Sequence, residues 1–313
     1  MSSAQKLPWY FEPRRTLGRT GFVASRIGIG DLADRTVPLD ECVATVKRAI
    51  DAGLNVIDTA PRYEDGYSEE IVGRAVKSRR DRMFVIDKID FLDEPVAPQV
   101  EGSLKRLGLE AADCFVFHGL STVDGWRRVT GPGGAMEQLE ACVKAGKCRF
   151  RGISSHHPEV LRMAIESGLC DVVLFAVGPF CDVRYTDDIL PLAKSARVGT
   201  VCFKAFGAGQ LVCDTAGYGR PLAKRPRGKV SSGGRSDLPV LPHLSPAECV
   251  RYSLTNDPDV ALLGLSFPNE QDAALSAAAE FRPMSTEEQA DLRRRAVIAM
   301  EGKGGSWWDP KTG

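Results

Sequence analysis

The chain has 313 residues, with 41 basic and 41 acidic side chains, so its formal net charge is zero. A neutral total gives no overall field to draw in a polyanion, which disfavours a dedicated nucleic-acid binder. Hydrophobic residues at 43% and charged residues at 26% describe an ordered globular chain, long enough for two domains or one large α/β barrel.

In chain order, Lys6–Phe22 reads as a hairpin with its turn near Gly18 or Gly21, placed to close one end of a barrel. A short strand follows at Ser25–Gly30. Val43, Val46 and Ile50 then make one helical face, with Asp40 as its N-cap and Gly53 as its stop. Asn55–Asp58 is the second strand, and Ser68-Glu69-Glu70 reads as a cap with acids in a first helical turn. Met83–Lys88 is the third strand, followed by the face Val100, Leu104, Leu107 ending at Gly108. Cys114–His118 is the fourth, followed by Met136, Leu139, Val143 ending at Gly146. Phe150–Ser154 is the fifth, followed by Val160, Leu161, Ala164, Ile165 ending at Gly168. Val172–Ala176, Gly199–Lys204 and Ala261–Ser266 complete eight strands.

The first four strands end at 30, 58, 88 and 118, a period of 28 to 30 residues that marks a repeated strand–helix unit. Eight such units predict an α/β fold: a (β/α)8 TIM barrel with an N-terminal β-hairpin and extra C-terminal helices. The chain reads as one domain over 1–313, with the barrel core at about 14–280 and a C-terminal helix and tail at 281–313. A doubly wound sheet would want Gly-x-Gly-x-x-Gly after the first strand, and Gly28-Ile29-Gly30-Asp31-Leu32-Ala33 does not supply it. The connection from Gly207 to His243 is too long to be idle, and it holds the densest basic stretch, with Lys224, Arg225, Arg227 and Lys229. Helices are expected at Asn269–Ala279 and Ser285–Glu301, and Trp307-Trp308 should pack down.

The nine cysteines are odd in number, and none is in a Cys-x-x-Cys arrangement. Several sit in apolar runs, so they read as reduced core thiols in a reducing compartment. Met1–Tyr10 lacks the apolar stretch of a secretory leader, and no run approaches the roughly 20 apolar residues that span a bilayer. A cytoplasmic protein is the expectation. No metal site is expected: His156 and His157 are adjacent, and few carboxylates or thiols are placed to complete a ligand set.

In such a barrel, chemistry gathers where strands end. Asp58, Lys88 and His118 end consecutive strands, and Tyr63 lies in the loop after Asp58. Tyr, with an ordinary pKa near 10, needs its phenolate stabilised before it gives up a proton readily. A neighbouring lysine does that, an aspartate can hold the lysine, and a histidine can orient a substrate oxygen. The set suits proton transfer coupled to hydride transfer at a carbonyl.

Asp58-Thr-Ala-Pro-Arg-Tyr63-x-x-Gly-Tyr-Ser-Glu-Glu resembles the signature of the aldo-keto reductases. Val-Ile-Asp-Lys88 resembles that family's lysine strand, and Asp113-Cys-Phe-Val-Phe-His118 its histidine strand. Phe150-Arg-Gly-Ile-Ser154-Ser-His and Phe203-Lys-Ala-Phe-Gly-Ala-Gly resemble its cofactor-contacting segments. The resemblance implies NADP(H), with NAD(H) as the other candidate, and a small-molecule aldehyde, ketone or sugar carbonyl as substrate, or the reverse alcohol oxidation. It implies Tyr63 as proton donor, Lys88 lowering its pKa, Asp58 supporting Lys88, and His118 orienting the carbonyl. Ser154 would bind the carboxamide, with Ser155 beside it. Phe203 would lie against the nicotinamide, and Lys204, Ala205, Phe206 and Gly207 along the pyrophosphate. Ser266, Asn269 and Asp272 would face the adenosine phosphate.

Three positions depart from the pattern. Leu174 stands where the family usually has Gln, Ser155 where Asn is common, and Asp272 where Arg is frequent. The last would repel a 2′-phosphate and suit a ribose hydroxyl. The subgroup resembles the iron–sulfur-linked aldo/keto reductases but lacks their cysteine cluster, since no cysteine follows Cys249. A cofactor-binding sensor with little turnover is the alternative reading.

Overall fold

The computed structural model describes residues 13–30, 35, 37–213, 232, 240–264, 268–303, 306 and 308, backbone alone at 268–270. A two-stranded antiparallel hairpin comes first, β1 (Arg14–Thr16) against β2 (Val23–Ser25). Eight parallel strands then close on themselves: β3 (Ile27–Ile29), β4 (Val56–Asp58), β5 (Phe84–Ile89), β6 (Cys114–Phe117), β7 (Phe150–Ser154), β8 (Val172–Ala176), β9 (Gly199–Phe203) and β10 (Val260–Leu263). The ring shuts where β10 pairs with β3. Between the strands lie α1 (Leu39–Asp51), α2 (Tyr67–Val76), α3 (Val96–Leu107), α4 (Val123–Thr130), α5 (Ala135–Lys144), α6 (Pro158–Glu166), α7 (Leu190–Ser195) and α8 (Pro246–Thr255). Two more, α9 (Pro268–Ala279) and α10 (Thr286–Met300), follow the last strand. The expected (β/α)8 barrel, hairpin and C-terminal helices are all present.

Strand parity sorts the core into two layers, because successive side chains point to opposite faces. Val56, Phe84, Ile86, Cys114, Val116, Val172, Leu174 and Val201 fill the barrel's inside. Val85, Phe115, Val173 and Phe175 alternate with them and pack outward under the helices. Each fully buried valine or isoleucine contributes about 1.5–3 kcal/mol relative to exposure. The lumen is crowded enough to demand glycine: a Cβ at Gly152 would come within 1.7 Å of the Val172 carbonyl oxygen.

The hairpin covers the strands' N-terminal end. Leu17 is sealed from solvent, Arg19 N–H donates to the Arg197 carbonyl at 2.6 Å, and Gly18 adopts φ +45° against the backbone of Gly199. Its span differs from the sequence reading. Ser25 ends the hairpin's second strand instead of opening the barrel, because its hydroxyl and amide are tied to Asn55 and Ile27. Residues before 13 lie outside the described part.

Two expected caps are not used. Pro38 precedes α1, which leaves Asp40 inside its first turn, and Gly66 precedes α2, which leaves Ser68 inside the helix. Ser68 instead accepts a hydrogen bond from the Thr59 hydroxyl at 2.8 Å. The reading at Ser285 is sharper in the structure: it caps α10 in a reciprocal box with Glu288. Trp308 is fully buried, its ring 6.1 Å from that of Phe180, while Trp307 lies outside the described residues. All nine thiols are free; eight are buried and Cys213 is half-buried. Among the described residues, no helix is long and apolar enough to cross a membrane.

Candidate active site

The same parity that fills the barrel with hydrocarbon puts polar groups at its C-terminal rim. Asp58 continues the inward row of Val56, and Lys88 that of Phe84 and Ile86. His118 continues the row of Cys114 and Val116, and Ser154 that of Gly152. Asp87, between Ile86 and Lys88, therefore faces the other way. It is buried beside Glu69 of α2, which accepts hydrogen bonds from Arg106 of α3. Burial and the Glu69 charge push the Asp87 carboxyl well above its ordinary pKa, so it stays outside the mouth's chemistry.

Lys88 is 2% exposed. Its Nζ donates to the Asp58 carboxylate at 2.7 Å and to the Thr59 carbonyl at 2.7 Å. The same ammonium stands 4.3 Å from the centre of the Tyr63 ring. Burial disfavours the cation, but Asp58 and Tyr63 outweigh it and raise the pKa of Lys88 above its usual value. A permanent positive charge thus lies beside the phenol. Tyr63 packs edge-on to His118, with ring centres 5.6 Å apart. The structure brings together all four residues expected to be catalytic.

The expected cofactor residues divide. Ser154 is 3% exposed on the inner row, next to Leu174, which lies across the β7–β8 pair. Leu174 is fully buried among lumen hydrocarbon, so it contributes packing and no hydrogen bond there. Ser155 has the opposite parity: its amide donates to the Leu174 carbonyl, and its hydroxyl accepts the His157 N–H at the head of α6. Phe203 ends β9 half-buried, and Lys204 turns the chain with φ +72° into the short turn at Gly207–Gly209. That conformation costs a non-glycine residue about 1–2 kcal/mol. Ala205 is buried, and Phe206 packs against the core behind. Ser266 and the Asn269 side chain lie outside the described residues, as do Lys224, Arg225, Arg227 and Lys229. Asp272 is held at 2.5 Å by Arg48 of α1, which also donates to Gln271 at 3.0 Å.

Two further residues belong to the mouth. His156 lies with its ring 5.3 Å from Phe203. Burial first, then the Lys204 charge, lowers its pKa to about 4, so it is neutral. Asp90 meets His118 directly, bonding its Nδ1, and accepts the Arg62 amide at 2.9 Å. Two sequence signals pointed to them: His156 is next to Ser155, and Asp90 shares the parity of Lys88. Trp126 is a core residue, whereas Phe91 is 42% exposed with the Arg62 guanidinium 4.9 Å above its ring. Among the described residues, no three His, Cys, Asp or Glu side chains are grouped to hold a metal.

The profile of the aldo/keto reductase family matches residues 26–238. Over 220 residues the chain is 30% identical to the L-galactose dehydrogenase of Arabidopsis thaliana, covering 63% of this chain and 66% of that protein, just under two thirds of its length. The holo form of an aldo-keto reductase from Bacillus halodurans superposes with a TM-score of 0.68 at 23% identity, covering 93% of this chain and 98% of that one. An aldo-keto reductase from Klebsiella pneumoniae in complex with NADPH gives 0.65 at 20% identity, covering 94% and 99%. The two structures share the fold, the profile spans most of the barrel, and the chain belongs to the aldo/keto reductase family.

Proposed function

We propose that the protein is an NAD(P)H-dependent oxidoreductase that reduces an aldehyde, ketone or sugar carbonyl, or oxidises the corresponding alcohol. The observation that carries this reading is the Asp58–Lys88–Tyr63 arrangement, a buried ammonium between a carboxylate and a phenol. A bound nicotinamide dinucleotide would supply or accept the hydride. In reduction, Tyr63 gives its phenolic proton to the substrate oxygen, and the Lys88 charge stabilises the phenolate left behind. Asp58 holds Lys88 in place, so the charge needs no rearrangement during reaction. In oxidation the phenolate takes the proton back.

The residues present suit such a cofactor. Ser154 offers a hydroxyl from the inner row and Phe203 a half-buried ring, with the left-handed turn at Lys204 directly after it. NADP(H) is the leading candidate, supported by the NADPH complex of the Klebsiella relative. Asp272, which by itself would repel a 2′-phosphate, has its charge offset by Arg48. NAD(H) is the other candidate. A reducing cytoplasm fits eight buried thiols.

The test follows NADPH and NADH absorbance over a panel of carbonyls with wild type and Tyr63→Phe. Turnover lost in the variant supports the mechanism; turnover unchanged overturns it. A second reading, a cofactor-binding sensor, is favoured by Leu174, which cannot hydrogen-bond a carboxamide. It requires tight dinucleotide binding with negligible turnover on every substrate class.

A further inference from the structure

We propose that Asp90 is a positioning residue of this site: it fixes His118 as the Nδ1–H tautomer and anchors the loop that carries Tyr63. Nε2 then becomes the lone-pair nitrogen presented to substrate. This rests on the reading of the mouth as a hydride-transfer site.

Three observations carry the inference. One oxygen of Asp90 meets His118 Nδ1, and the other accepts the amide of Arg62, the residue immediately before Tyr63. The Asp90 side chain is 2% exposed, so both oxygens are committed to these partners in a sheltered place. An ionised carboxylate only accepts hydrogen bonds, and His118 holds Asp90 below the usual carboxylate range despite burial. The proton in the contact therefore belongs to Nδ1.

The groups facing His118 are Asp90 and Lys88 from β5 and its end, Asp58 from β4, Tyr63 from the following loop and His156 from the loop after β7. Burial is the largest influence and lowers the His118 pKa below 6.5; Lys88 adds to it, and Asp90 only partly opposes it. The ring is neutral at pH 7. A neutral ring with its proton on Nδ1 has a lone pair on Nε2. It can accept a hydrogen bond from a substrate hydroxyl but gives none to a carbonyl oxygen. The site at neutral pH thus favours the alcohol partner of the reaction. Carbonyl binding gains as the ring protonates, which happens as pH falls below 6.5.

Asp90→Asn should reverse the tautomer. The Arg62 amide needs an oxygen, so the carboxamide in this variant would turn its NH2 towards Nδ1, which must then be the lone-pair nitrogen. Nε2 would carry the proton and donate to a carbonyl.

The decisive measurement is the 15N shift pattern of the imidazoles in the full-length protein at pH 7.5. The chain has four histidines, and His118→Gln identifies the signal by its loss. The expected result is Nδ1–H in wild type, Nε2–H in Asp90→Asn, and Nδ1–H restored in Asp90→Glu. Alcohol KM over carbonyl KM should rise roughly tenfold in Asp90→Asn, the size of one hydrogen bond in a sheltered site. The acid-side rise in carbonyl kcat/KM should vanish with it. An Nε2–H signal in wild type overturns the proposal, whether or not Asp90→Asn folds. An unchanged tautomer in a folded Asp90→Asn also overturns it. A protein with the expected tautomers but no turnover on any substrate would instead overturn the proposed function.

Discussion

Lys88 at the mouth and Lys303 at the base of the long connection are both almost sealed from solvent, at 2% and 3% exposure. Their surroundings differ in one respect. Lys88 faces a carboxylate, whereas Lys303 donates to neutral oxygens: the carbonyls of Gln210 and Pro242 and the hydroxyl of Ser232, at 2.6 to 2.8 Å. Burial disfavours both cations. Asp58 and Tyr63 together more than offset it for Lys88, while the dipoles around Lys303 do not, so one pKa rises and the other falls. Buried hydrogen bonds satisfy geometry in both places; only a formal opposite charge keeps the ammonium firmly charged. The proposed mechanism needs that fixed charge beside Tyr63. The loop base needs only a three-way tie between Gln210, Ser232 and Pro242.

The contrast can be broken by substitution. The largest effect is expected at the mouth: Lys88→Met and Tyr63→Phe should each lower kcat about 10²–10⁴-fold in steady-state assays. Lys303→Met should leave kcat within a few-fold, and a comparable loss there would erase the distinction. Unfolding in denaturant should separate the two next. Lys88→Met removes the ammonium that offsets the buried Asp58 carboxylate and should cost about 3–5 kcal/mol. Lys303→Met leaves unfilled acceptors and should cost about 1–3 kcal/mol. Equal costs would mean that the Asp58 charge is no different from the carbonyls.

Acid titration probes the mouth. His156 has a folded pKa near 4 against 6.5 unfolded, so the unfolded chain binds the extra proton between these values. Stability is fully present above 6.5 and declines as pH falls towards 4, by about 2 kcal/mol after allowance for partial exposure. His156→Phe keeps a ring against Phe203 and should flatten that decline in pH-dependent melts; an unchanged slope would remove His156 from the account. The smallest effect is at the loop base. Cys213 is the half-buried thiol, and the Lys303 charge favours its thiolate while burial opposes it. Thiol labelling of the folded protein should begin at Cys213 and slow modestly in Lys303→Met, with no such change in Lys88→Met.

Much of the mouth was legible because period and parity are sequence properties. Strand ends at 58, 88 and 118 placed Asp58, Lys88 and His118 on one rim, and the structure joins them. Asp90 was readable by the same rule, since it lies two residues beyond Lys88, but the reading stopped the strand at the lysine. The pairing of Asp272 with Arg48 was not readable, because 223 or more residues separate α1 from α9 at that contact. Likewise, Asp40 and Ser68 look like caps by residue type, and only the entry angle of the chain shows that Pro38 and Gly66 take those positions.

The N-terminal hairpin has a consequence for how the chain reaches this fold. Arg15 bonds the carbonyl and carboxylate of Asp257, and Arg26 joins the same carboxylate, contacts spanning 242 and 231 residues. The ring itself closes only when β10 reaches β3. Neither contact can form until nearly the whole chain has been collected, and closing so large a loop costs entropy before any contact rewards it. The hairpin is then a latch set at the end of folding. Weakening it with Arg15→Ala should raise the unfolding rate while leaving the early, locally connected β4–β6 region to form at its own pace.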